Sequence, residues 1–87
     1  MKLSFVIPAY NEADYIGACL TSILHGIKGT KHDVEIIVVN NASTDNTGKI
    51  AQGYPGVRVV YEPKKGLVRA RQRGFLEAMG DIIANID

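Results

Sequence analysis

The sequence predicts an α/β fold in which a parallel sheet carries helices on both faces. Three observations predict it. Four short apolar runs alternate with three stretches whose apolar residues recur at three- and four-residue spacing, giving the order βαβαβαβ. Two of the runs, residues 3–7 and 34–39, are apolar almost throughout, as strands buried on both sides require. Glycine, proline and polar clusters punctuate the junctions.

Taken in order, residues 3–7 form the first strand, which Pro8 is expected to end because it has no N–H for the ladder. Residues 12–27 form a helix with Ile16, Cys19, Leu20, Ile23, Leu24 and Ile27 on one face. Asn11 and Asp14 resemble an N-cap with an acidic N3 partner. Residues 34–39 are β-branched and form the second strand. The polar turn Asn40-Asn41-Ala42-Ser43-Thr44-Asp45 leads into a short helix over residues 44–52, with Ser43 and Thr44 as cap residues and Ile50 and Ala51 facing in. Gly53-Tyr54-Pro55-Gly56 breaks it. Val57, Val59 and Tyr61 alternate with Arg58 and Val60, which suggests a strand nearer the edge. Residues 67–79 form the third helix, with Val68, Phe75 and Met79 on its apolar stripe; Gly80 ends it, and residues 81–86 form the last strand. Right-handed crossovers, with two units winding one way and the third returning, give a three-layer αβα sandwich with a Rossmann-like sheet of strand order 3-2-1-4. The reversal opens a crevice at the carboxyl ends of strands one and four, where Pro8-Ala9-Tyr10 and Asp87 converge, with the Asn40-Asn41 turn alongside.

The totals narrow the function. Eighty-seven residues make one small domain or part of a larger one. Apolar content of 46% and charged content of 22% fit a globular chain. A net charge of +1 argues against a general nucleic-acid binder. The lone Cys19 supports neither a disulfide framework nor a zinc site and reads as core. No signal-peptide pattern precedes Pro8, and no run approaches the roughly 18–20 apolar residues of a membrane span. The chain is expected to be soluble and cytoplasmic.

Several residues at the predicted rim could carry chemistry. Tyr10 offers a ring face to a base, or covers the end of the core. Glu12 suits the helix dipole whether or not it meets a ligand. The amides of the Asn40 turn suit a base edge as well as a turn, and Asp45 is expected to support the following helix. The stretch from Lys64 to Arg73 holds five of the ten basic residues at the start of a helix, which suits a phosphate; Arg69 and Arg73 share one face and Arg71 points elsewhere. No aromatic residues interleave it, so a nucleic-acid patch is not expected. Gly66 is expected to supply an unusual backbone angle before the helix. Asp87, at the end of a buried strand, is a candidate ligand for a hard divalent ion, or a solvated C-terminus. His25 and His32 lie away from the rim. A dinucleotide fingerprint, a P-loop and a serine-nucleophile elbow are all absent from the sequence.

Four stretches, in order, resemble the amino-terminal half of the family 2 glycosyltransferases, which have the GT-A fold. They are Val6-Ile7-Pro8-Ala9-Tyr10-Asn11-Glu12, Val38-Val39-Asn40-Asn41-Ala42-Ser43-Thr44-Asp45-Asn46-Thr47, Gly66-Leu67-Val68-Arg69-Ala70-Arg71-Gln72-Arg73-Gly74, and Gly80-Asp81-Ile82-Ile83-Ala84-Asn85-Ile86-Asp87. The resemblance implies an enzyme that transfers a sugar from a nucleoside diphosphate sugar to an acceptor hydroxyl with inversion, assisted by magnesium or manganese. It implies that Pro8, Ala9, Tyr10 and Glu12 line the nucleotide pocket and that Arg71 lies near the nucleotide or its diphosphate. Asp87 is implied as the first Asp of an Asp-x-Asp motif, touching ribose or metal. Asn40 stands where the family usually has an aspartate that reads the base, so uracil and guanine both stay open. The second metal-binding Asp, the acceptor half and the catalytic base are absent from these residues. The chain is therefore expected to be a nucleotide-binding domain truncated at the Asp-x-Asp motif, with no catalytic residue and no transfer activity alone. The parent enzyme could work at the cytoplasmic face of a membrane. The outer edge of the fourth strand is expected to self-associate. The alternative is a non-catalytic nucleotide-binding or interaction module of the same fold. A nucleotidyltransferase would carry a glycine-rich basic signature near the first strand, and Pro8-Ala9-Tyr10-Asn11-Glu12 is not one.

Overall fold

The computed structural model describes residues 1–86, and Asp87 lies outside the described residues. The elements are β1 (Lys2–Ala9), α1 (Ala13–Gly26), β2 (Asp33–Asn40), α2 (Thr47–Gln52), β3 (Val57–Tyr61), α3 (Leu67–Glu77) and β4 (Ile82–Asn85). All three strand pairings are parallel, and the order is β3-β2-β1-β4, as the crossover rule predicts. Alternation along the two central strands then sorts the helices into layers. Ile7, Ala9, Ile36 and Val38 face one way and bury Ile16 and Leu20 of α1 and Ala51 of α2. Val6, Ile37 and Val39 face the other way and meet Ala70 of α3. Cys19 is half-buried against the first of these clusters, as its place on the α1 stripe predicts. No helix among the described residues is long and apolar enough to cross a membrane.

The structure corrects several expectations. Pro8 does not end β1, which continues to Ala9 with Pro8 paired to Val39. The Ala9 carbonyl accepts from the Asn41 N–H on the β2 side, and the Val6 carbonyl accepts from the Ile86 N–H on the β4 side. Backbone groups alternate sides along a strand, so the missing donor of Pro8 faces β4. The ladder to β2 survives, whereas pairing with β4 ends at Val6 and Asn85.

Asn11 does not cap α1. Its φ is +50°, a left-handed conformation that asparagine tolerates. Its carboxamide oxygen accepts from the Thr44 N–H instead. The short helix starts at Thr47 because the Ser43 hydroxyl accepts from the Asn11 N–H and Asp45 accepts from the Thr47 N–H, which fixes residues 43–46 as a turn.

The third correction concerns α3. Its apolar stripe does not face the sheet: Val68 is 68%, Phe75 65% and Met79 70% exposed, with Leu76 at 79% beside them. Ala70 and Gly74 face the sheet, because α3 lies too close to β1 and β2 for larger side chains. The fourth is the end of α3, at Glu77 and not residue 79. The Met79 N–H donates to Glu35 and the Gly80 N–H to the Ser4 hydroxyl, which draws the chain out of the helix into β4.

Glu35 is the centre of that junction. It accepts from the Ser4 hydroxyl and the Met79 N–H, and its carboxylate lies 3.8 Å from Arg58, which also bonds Glu77. Burial pushes the Glu35 carboxyl up, but the Ser4 and Met79 hydrogen bonds and the charges of Lys2 and Arg58 outweigh it and hold it below its ordinary 4.5. A carboxyl lowered by folding stabilises the native state above its unfolded value and loses that contribution as pH falls through the folded one. The urea midpoint is therefore expected to drop as pH is lowered from about 5 toward 3, and Glu35→Gln is expected to flatten that drop. An unchanged pH profile in the Gln variant would assign acid sensitivity elsewhere.

Candidate functional site

The carboxyl end of β1 opens on a cavity of about 310 Å³. Its walls come from four places: Pro8, Ala9, Tyr10 and Glu12 after β1, Asn41 after β2, Lys65 and Gly66 before α3, and Leu67 and Ala70 on α3. The lining is largely apolar, with a few polar groups on one rim, the usual make-up of a small-molecule site. Glu12 also borders a smaller cavity of about 100 Å³ on the α1 side, shared with Tyr15, Ile16 and Cys19. Burial, and then the charge of Glu12, raise the Cys19 thiol above its ordinary value, so this cysteine is not an activated nucleophile.

Two turns build the rim by lacing into each other. The Asn11 N–H donates to the Ser43 hydroxyl, the Glu12 N–H to the Thr47 hydroxyl and the Ala13 N–H to Asp45. The α1 terminus is thus capped by the turn after β2, an arrangement between residues far apart in sequence that local cap patterns do not reveal. Asp45 also accepts from the Thr47 N–H at 2.9 Å and from its hydroxyl, which supports α2 as the sequence suggested. Those bonds, first the Thr47 hydroxyl, lower the Asp45 carboxyl.

The opposite wall hangs on Asn41, which is 4% exposed. Its Nδ2 donates to the carbonyls of Glu62 (3.1 Å) and Lys64 (2.8 Å), and its Oδ1 accepts from the Gly66 N–H at 2.9 Å. One side chain therefore holds the loop before α3 at three points within five residues. Gly66 adopts φ +139°, the unusual angle the sequence suggested, and turns the chain into α3. The first amides of α3 so begin at the cavity, where a helix start suits an anion. Across the opening, Lys65 Nζ stands 4.4 Å from the centre of the Tyr10 ring.

Of the residues the sequence singled out, Pro8, Ala9, Tyr10 and Glu12 line this cavity together. Asn40 does not. Its Oδ1 accepts from the Ser43 N–H, and its amide packs over Gly48. Arg71 is half-buried on α3 and is not among the lining residues. Asp87 lies outside the described residues. Leu67 and Ala70 were not singled out from sequence, and Asn41 and Lys65 were read only as members of the polar turn and of the basic stretch. Alternation offers a signal for Asn41: Ile37 and Val39 face α3, so Asn41 continues toward it, whereas Asn40 follows Ile36 and Val38 to the other layer.

A divalent ion needs several hard ligands. Among the described residues no group of three or more His, Cys, Asp or Glu side chains could hold one. Glu12 is the carboxylate among the described lining residues, and alone it does not make a metal site.

The profile of glycosyl transferase family 2 matches residues 4–87. The chain is 39% identical over 90 residues to the uncharacterized glycosyltransferase YibD of Escherichia coli (strain K12), covering 99% of this chain and 25% of that protein. Its structure resembles that of S. aureus TarS 1-349 in complex with UDP, with a TM-score of 0.88 and 29% identity, over all of this chain and 27% of the other. Glucosyl-3-phosphoglycerate synthase from Mycobacterium tuberculosis, solved with Mn2+, UDP and glucosyl-3-phosphoglycerate, superposes with a TM-score of 0.83 and 32% identity, over 99% of this chain and 33% of that one. The chain spans about a quarter of the length of the curated relatives it matches.

Proposed function

The chain belongs to glycosyl transferase family 2, and from that premise we propose that it is a single nucleotide-sugar-binding domain, the donor-binding part of an inverting glycosyltransferase. The cavity at the end of β1 carries this reading, because it pairs an aromatic wall with a helix start. Tyr10, backed by Pro8 and Ala9, takes the nucleobase. Asn41 meets the base edge, since its Oδ1 keeps a lone pair after accepting from Gly66. Glu12 accepts from a ribose hydroxyl, and the diphosphate lies toward the first amides of α3 and Arg71.

Transfer to an acceptor hydroxyl requires a base to take the hydroxyl proton and neutralisation of the departing diphosphate. Magnesium or manganese would supply the second of these from the Asp87 position together with diphosphate oxygens. The structures solved with UDP and Mn2+ support the donor class and the metal for their own proteins. The 87-residue chain alone is proposed to bind donor without transferring sugar.

Calorimetric titration with UDP and GDP, each with and without manganese, tests this. Binding of one diphosphate is expected, weakened about 5- to 150-fold by Tyr10→Ala, the range of a lost base–aromatic stack of about 1–3 kcal/mol. No binding of either diphosphate would overturn the reading.

We also propose self-association. β4 is an edge of the sheet in the described order and carries the half-exposed Ile82, and α3 adds an exposed apolar stripe. Sedimentation is expected to show reversible association that Phe75→Glu with Leu76→Lys reduces. A monomer at high concentration would count against it.

A further inference from the structure

Lys65 stands over Tyr10 at 4.4 Å, and both residues line the same cavity. The covered face of the ring is therefore the one turned to the opening. Lys65 is exposed, and among the described residues its ammonium has the ring as its partner and makes no salt bridge. Its backbone has less freedom, because Asn41 fixes the Lys64 carbonyl and the Gly66 N–H on either side of it. The side chain can swing while its root stays at the rim.

We propose that Lys65 is a specificity-determining residue: it covers the base-stacking face of Tyr10 in the free chain and yields that face to the base when a nucleoside diphosphate binds, its ammonium then pairing with the phosphates. This rests on the nucleotide reading above. The exchange is favourable because an exposed cation–π contact is weaker than a base–aromatic stack. A displaced ammonium also gains a charge-assisted partner when phosphates are present. A nucleoside without phosphates must displace Lys65 and offers nothing in return. The device therefore selects nucleoside diphosphates over nucleosides at a residue that does not itself read the base.

The test compares wild-type chain, Lys65→Ala and Lys65→Arg for affinity to UDP and to uridine. Lys65→Ala is expected to bind uridine about two- to fivefold more tightly, the cover being gone, and UDP more weakly. The ratio of UDP to uridine affinity then falls at least tenfold, and Lys65→Arg restores it. Loss of a merely structural side chain would weaken both ligands alike. Nuclear magnetic resonance gives a second readout: the Lys65 ε-methylene protons are shifted upfield by the Tyr10 ring in the free chain, and the shift disappears in Tyr10→Leu and at saturating UDP. Unchanged or weaker uridine binding in Lys65→Ala, or an upfield shift that persists with UDP bound, overturns the proposal while leaving the nucleotide reading intact. A wild-type chain that binds neither ligand overturns the nucleotide reading, and the proposal with it.

Discussion

Gly74→Ala is expected to destabilise the chain by about 2 kcal/mol, although alanine is the better helix former by up to about 1 kcal/mol. Gly74 lies in the middle of α3 and is buried against the sheet. A Cβ there would lie inside the contact radius of Val6 Cγ1 and 3.3 Å from Val39 Cγ2. Neither neighbour can give way. Val6 and Val39 are fully buried on the two central strands, and their β-branched side chains have few rotamers to exchange. The helix must lift, which strips Ala70 from the same cluster and disturbs the Arg58 and Arg73 bonds to Glu77. Overpacking therefore outweighs propensity. In a domain of this size about 2 kcal/mol lowers the melting temperature by roughly 10 °C. Gly26→Ala supplies the contrast: it ends α1, nothing lies within 4 Å of the place an added methyl would take, and it is expected to be neutral or stabilising by up to about 1 kcal/mol. If thermal melts show both variants moving the same way, close packing of α3 is not what Gly74 provides.

Gly74 also marks where sequence reading lost the structure. The strand order was legible, because buried parallel strands announce themselves as apolar runs and the crossover rule leaves few arrangements. The face that α3 presents was not. An amphipathic pattern directs the largest apolar side chains inward, yet here Ala70 and Gly74 face in while Phe75 and Leu76 face out. The pattern rule weighs hydrophobicity, and this contact is decided by the distance between helix and sheet. The site divides in the same way. Pro8, Ala9, Tyr10 and Glu12 were legible as a strand end at a reversal of the sheet. Choosing between the adjacent Asn40 and Asn41 required the side of the sheet each faces, which the alternation of β2 encodes but base-reading chemistry does not. Lys65 was legible as part of a basic stretch but its place at the cavity rim was not, because that depends on three hydrogen bonds from a residue more than twenty places earlier.

Asn41→Ala is expected to cost about 2–3 kcal/mol and to weaken nucleotide binding at least tenfold, whereas Asn40→Ala leaves affinity within about twofold. The Asn41 amide is buried and holds two carbonyls and one N–H of the loop before α3. Deleting it leaves three backbone groups to find new partners. The loop is exposed from Pro63 to Gly66, so water reaches some of them, which keeps the cost well below three full desolvation penalties. Binding suffers as well as stability because freedom returns to the wall that carries Lys65, Gly66 and the start of α3, and ordering it again must be charged against the ligand. Asn40 bonds the Ser43 N–H and packs over Gly48, on the far side from the cavity wall, so its loss touches the turn and not the ligand. Urea melts and UDP titrations of the two variants separate these roles. Equal losses of affinity would mean that the two turns move as one body and that the cavity has no separately held wall. A loss confined to Asn40→Ala would return the base edge to the residue that the family resemblance first indicated.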